Sequence, residues 1–171
     1  QSLGLQGGSA SQAFDIRADE YEENRHFLMA QKFRKDYNKA MSQLPVVRSN
    51  FQILRVEVWV TNRTGATTDT RDVVGFMDLG EREPFNTNWK PYLDTLPSNN
   101  ANDLYKSVVA LPGARNSTQV QTVLNGFQGM QPVQDFEKTF ARKLQPTDYY
   151  YNPQIGFLSL NQPLQPDEVL A

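Results

Sequence analysis

Few side chains here could do chemistry. The sequence holds one histidine, His26, and no cysteine. Imidazole changes charge near neutral pH, which makes His26 the natural general base. No G-x-S-x-G or comparable nucleophile signature accompanies it, and its charged surroundings read as a solvated helix face. Without cysteine there are no disulfides, thiolate ligands or thiol nucleophiles, and a single histidine leaves zinc without a ligand set. The acidic group Asp15, Asp19, Glu20, Glu22 and Glu23 raises calcium. It lacks the alternating ligands and central glycine of a calcium loop, and reads as negative charge at a helix N-terminus. Gly7, Gly8, Gly126 and Gly129 form neither a dinucleotide fingerprint nor a phosphate loop. Carboxylates are plentiful, but nothing selects a pair for glycoside hydrolysis. The residues therefore point away from an enzyme and imply no cofactor and no metal.

Aromatic residues are the remaining binding candidates. Tyr149, Tyr150 and Tyr151 in succession must point to both faces of a strand, so at least one is exposed. Trp59 shares the more polar side of its strand with Arg55 and Glu57, and Trp89 lies among Asn, Thr and Pro. Together they offer a sugar-stacking platform or a protein-binding patch. The plainer reading packs Trp59 and one or two tyrosines beneath helices.

The elements that would position these residues follow from periodicity. Residues 1–12 are rich in Gly, Ser and Gln and read as a tail or loop, with 13–171 as one soluble α+β domain. Ala13 to Arg17 suggests a short strand. Phe27, Ala30, Phe33, Tyr37, Ala40, Met41 and Leu44 recur at steps of three and four, predicting a long helix from Asp19 to Leu44, stopped by Pro45. Phe51 to Thr61 predicts a strand with Leu54, Val56, Val58 and Val60 on one face. A polar turn over 62–69 and a strand from Val73 to Leu79 would complete a hairpin. Shorter helices are expected over Asp103–Leu111, after Ser117, and over Gln134–Leu144, where Phe136, Phe140 and Leu144 share a stripe. Asp148–Tyr151 and Ile155–Leu160 read as strands about an Asn152-Pro153 turn. The expected fold is an antiparallel sheet with one long N-terminal helix and several shorter helices packed on it.

Composition narrows the partners. The 17 Lys and Arg nearly balance the 19 Asp and Glu, so nothing favours nucleic acid. No apolar run approaches the roughly 20 residues of a membrane helix, so no direct membrane insertion is expected. The start at Gln1 and the turn-then-strand pattern ending at Ala171 read as the boundaries of a piece cut from a longer chain.

Three ordered stretches carry a resemblance. They are Phe14 to Phe27, Arg55 to Arg63 followed by Arg71 to Glu81, and Tyr151 to Leu164 followed by Asp167 to Ala171. Together they resemble a domain of the SprA/Sov cell-surface proteins of Bacteroidetes, with residues 82–145 contributing least. The resemblance implies a very large outer-membrane β-barrel parent, the translocon of type IX secretion and of gliding motility. It implies an exported, non-catalytic structural or interaction domain associated with the outer membrane and facing the periplasm or the cell exterior. The implied partners are the rest of the parent barrel and secreted passenger or accessory secretion proteins. Asp94-Thr95-Leu96 resembles the O-glycosylation sequon of such exported proteins, which makes Thr95 a modification candidate. A surface adhesion or carbohydrate-binding module is the alternative.

Overall fold

The computed structural model describes residues 15–91 and 101–171. The tail expected over 1–12, Ala13 and Phe14 of the expected first strand, and Thr95 lie outside the described residues. Asp15 to Arg17 carry no strand pairing. The described chain combines short helices with two small antiparallel sheets, an α+β arrangement.

The long helix from Asp19 to Leu44 does not form. A single 3-10 turn covers Ala18–Glu20, strand β1 covers His26–Leu28, and helix α1 covers Gln31–Ala40. Asn24 has a φ of 54°, a left-handed value that a continuous right-handed helix excludes. The cause is tertiary. Phe27 and Leu28 pair with Leu158 and Phe157 across an antiparallel ladder, and Phe27 packs into a core. Full burial of such a side chain is worth about 1.5–3 kcal/mol, so even the partial burial of Phe27, with the ladder bonds, outweighs helix propensity differences of about 0.7 kcal/mol per residue. The acidic residues from Asp19 to Glu23 therefore precede α1 rather than begin it. Ala30 provides no side-chain cap, and the Glu81 carboxylate supplies one from a distant loop by accepting the Gln31 amide at 2.8 Å.

Sheet one has the order β1-β6-β5, with β5 at Tyr149–Asn152 and β6 at Phe157–Leu160. These two strands form the expected hairpin. Its turn is held by the Asn152 side-chain oxygen, which accepts the Gln154 and Ile155 amides. Gly156 has a φ of 62°, and a Cβ there would lie 2.2 Å from the Phe33 ring. Helix α1 thus docks on the hairpin through a site that only glycine fits.

Sheet two has the order β2-β4-β3, formed by Trp59–Thr61, Phe136–Lys143 and Thr70–Phe76. Two expectations fail here. The segment expected as a helix over Gln134–Leu144 is the central strand β4, and β2 and β3 do not form a hairpin because β4 lies between them. Residues four apart share a face in a strand as they do on a helix, so the Phe136, Phe140, Leu144 stripe had two readings. The expected strand from Phe51 is shorter as well. Val58 and Val60 are buried, but Leu54 is 91% exposed and ladder pairing starts only at Trp59. Residues 169–171 run beside the other edge of β2, where the Trp59 and Ala171 amides and carbonyls bond reciprocally at 2.8 and 2.9 Å.

Two cores share β4. Phe136 at one end joins Trp89, Met130 and the two short helices α2 (Leu104–Val109) and α3 (Val120–Leu124). Leu144, just past the other end, joins Val58 and Val60 of sheet two with Leu158 and Leu160 of sheet one. Helix α2 forms within the expected range. Ser117 does not cap α3, which begins after Gln119 without a side-chain cap; in the turn before it the Asn116 carbonyl accepts the Val120 amide and its side chain the Thr118 amide. Among the described residues no helix is long and apolar enough to cross a membrane.

Candidate functional site

The alternation Glu57-Val58-Trp59-Val60-Thr61 decides which side chains of β2 reach solvent. Val58 and Val60 turn into the core, so Glu57, Trp59 and Thr61 must share the opposite face. Register brings Lys143 of β4 opposite Trp59 and places Arg71 of β3 opposite Ala141 on the same face. The Arg71 guanidinium lies over the Trp59 ring, 4.0 Å from its centroid, and the Lys143 ammonium lies 5.9 Å from it. Glu57 accepts Lys143 at 3.1 Å, bonds Arg55, and sits 3.7 Å from Arg71. Hydrogen bonds from Lys143 and then Arg55 hold the Glu57 carboxyl below its ordinary pKa. Three cations thus share one carboxylate around a half-buried indole.

The other aromatic candidates separate. Trp89 is 2% exposed and packs in the helical core, with its ring 6.4 Å from that of Phe127. It has no face open to a ligand. Tyr149 and Tyr151 are half-buried against the sheet-sheet core, their rings 6.4 Å apart. Only Tyr150 of the three is exposed, at 62%. The structure therefore does not bring Trp59, Trp89 and the tyrosines onto one platform.

His26 gains partners that its sequence neighbourhood did not reveal. Register sets it opposite Ser159, with Tyr150 on the far side of the same row. Its Nδ1 lies 2.9 Å from the Ser159 hydroxyl, its Nε2 lies 2.6 Å from Glu22, and its ring stacks on Phe157 at 5.5 Å. The His26 hydrogen bond is the main reason that Glu22 is held below its ordinary pKa. A carboxylate, an imidazole and a hydroxyl in series form the connectivity of a hydrolase triad. Here the hydroxyl lies mid-strand, with paired strands on both sides, rather than at a sharp turn beside converging amides. The row ties β1 and the preceding loop to β6.

Buried carboxylates serve the fold. Asp78 accepts the Phe85 and Asn86 amides at 2.8 and 2.9 Å. Asn102, fully buried, donates to the carbonyls of Asp78 and Glu81 and accepts the Leu104 amide. Burial raises the Glu81 pKa, opposed by the amides of α1. Among the described residues no three His, Asp or Glu side chains converge to hold a metal ion. The acidic N-terminal group instead makes local pairs, Asp19 with Arg17 and Glu22 with Arg25.

The chain matches no protein-family model and none of the curated proteins searched.

Proposed function

We propose that this chain is a non-catalytic interaction domain of a large outer-membrane translocon of the SprA/Sov kind, serving type IX secretion and gliding motility. In this reading it is exported, held at the outer membrane, and faces the periplasm or the cell exterior. The Trp59 surface meets either the rest of the parent barrel or a passenger or accessory secretion protein. The ordered resemblance alone supports the parent; the Arg55–Arg63 stretch that carries part of it also supplies Arg55, Glu57 and Trp59 to this surface.

One observation favours protein over sugar as the partner. Sugar stacking needs an open aromatic face, and the Arg71 guanidinium already covers one face of Trp59. An Arg-Trp-Lys cluster with a single shared carboxylate suits a partner that brings acidic side chains. The full reading frame tests the assignment of the parent. A very long frame rich in alternating segments of about ten residues supports a barrel, and an ordinary-sized frame without them contradicts it.

A further inference from the structure

Strand β3 is an edge of sheet two, and register shows which of its backbone groups lack a neighbour. Around β4, the Leu144 amide donates to Val58 and the Phe140 carbonyl accepts from Asn62, so its even-numbered positions bond the β2 side. The Lys143 amide donates to Asp69 and the Asp135 carbonyl accepts from Met77, so odd-numbered positions bond the β3 side. In the same register the odd-numbered residues of β3 are the bonded ones, and the amides and carbonyls of Asp72, Val74 and Phe76 point out of the sheet. Among the described residues none of these groups has a hydrogen-bond partner. Charge or proline commonly guards such an edge. Val73 to Phe76 carry neither.

Beside this edge runs a groove of about 290 Å³. It is lined by Val74 and Phe76 of β3, by Tyr105 and Val109 of α2, and by Leu79 and Arg115. No residue of β4 lines it, so the groove lies over the outer side of β3. Leu79, Tyr105 and Val109 are exposed. Arg115 is exposed as well, and among the described residues it forms no ion pair. An open strand edge, an apolar groove and an unneutralised cation therefore adjoin.

We infer that β3 and this groove bind an extended segment of another protein, which joins sheet two as a further strand. The segment sets an apolar side chain in the groove and an acidic one against Arg115. Unmet donors and acceptors at alternate residues match an extended chain, whose backbone supplies affinity while pockets for alternate side chains select. The exposed guanidinium favours a carboxylate on the incoming strand. A second copy of this chain fits less well. Its own β3 brings Asp72 as the only carboxylate, and Lys138 already pairs with that at 3.6 Å. The groove opens on the core-facing side of sheet two, opposite the Trp59 face, and its occupant does not depend on the translocon assignment.

Amide hydrogen exchange and amide shifts on the full 171-residue chain test it. The probe is a capped peptide, Thr-Val-Thr-Glu-Thr, whose Val and Glu share one face of a strand. With a Kd on the order of 1 mM, about 5 mM peptide should slow exchange at Asp72, Val74 and Phe76 by roughly fivefold. Arg71, Val73 and Gly75 should not change, because β4 already holds their amides. Methylating the amide nitrogens of one alternate set of peptide residues should abolish binding, and methylating the other set should leave it within about twofold, since only one set faces β3. Arg115→Glu should weaken the peptide by about fivefold and bind a Lys-for-Glu peptide more tightly than the natural chain does. Unchanged exchange at about 5 mM peptide, equal tolerance of both methylated sets, indifference to the charge at Arg115, or shifts centred on the Trp59 indole would overturn the assignment. So would slowed exchange at the three outward amides that grows with protein concentration in the absence of peptide, which would give the edge to a second copy.

Discussion

The Arg71 guanidinium lies 4.0 Å from the centre of the Trp59 ring, on the face of sheet two that is turned away from both cores. This relationship joins fold to function. Register between β3 and β4 and between β4 and β2 places the two residues together, although they belong to strands that never pair. It also makes the two tryptophans distinguishable. Trp59→Phe leaves only Trp89, which is buried, and Trp89→Phe leaves only Trp59, half-buried beneath the Arg71 guanidinium. Acrylamide should quench the Trp59-only protein several times more strongly. Arg71→Ala should raise that quenching further, at a stability cost of about 1 kcal/mol or less. Equal quenching of the two single-tryptophan proteins would contradict the placement.

Phe136 and Phe140 test β4. Phe136 is 3% exposed in the helical core and Phe140 is 52% exposed. Phe136→Ala should cost about 3–5 kcal/mol in urea unfolding, and Phe140→Ala about 1 kcal/mol or less. Similar large losses at both positions would indicate a continuous buried stripe, as a helix over this segment requires.

Glu81 sets a pH dependence. Burial raises its pKa in the folded protein, so the folded state holds this proton more tightly than the unfolded chain. Its stabilising contribution is therefore complete below the ordinary carboxylate range and is lost as pH rises through the raised value. Glu22 and Glu57 act in the opposite sense. Hydrogen bonds from His26 and from Lys143 hold them low, so their contributions are present above the ordinary range and lost as pH falls. Glu81→Gln keeps an oxygen for the Gln31 amide and removes the buried charge. Urea unfolding between about pH 4 and 7 should show the advantage of this variant over the natural chain growing with pH. A constant difference would contradict the shift.

The Glu22, His26 and Ser159 row is expected to be structural. Ser159→Ala should lower stability by about 0.5–1.5 kcal/mol, the worth of one hydrogen bond. It should leave hydrolysis of an activated ester at the rate given by the His26→Ala variant. Saturable hydrolysis that vanishes with Ser159→Ala would restore an enzymatic reading.

Local chemistry was legible in the sequence where the partner lay close by. The β5–β6 hairpin has its Asn152-Pro153 turn between its strands, and α2 has its apolar positions within a few residues. Partners far away in sequence hid the rest. Phe27 was drawn into a strand by Leu158, and His26 was bonded by Ser159, 133 residues away. Phe136, Phe140 and Leu144 fit both periods, and only the long ladder to β3 decided between them. Trp89 sits in a polar stretch that gives no sign of burial, because its core comes from β4 and the short helices. Trp59 was readable, since strict alternation placed it with Glu57 and Thr61, but its cationic lid came from Arg71 on another strand.

The most direct test of the proposed docking face is charge reversal in the complete parent protein. Arg71→Glu with Lys143→Glu reverses the cluster around Trp59 while leaving both cores untouched. The measurement is the amount of secreted cargo outside the cell, normalised to parent protein at the outer membrane. Export should fall by roughly tenfold with the parent present at its usual level, because like charges set against a complementary partner cost several kcal/mol. Unchanged export, with the doubly reversed protein folded and in place, would contradict a role for this face in secretion.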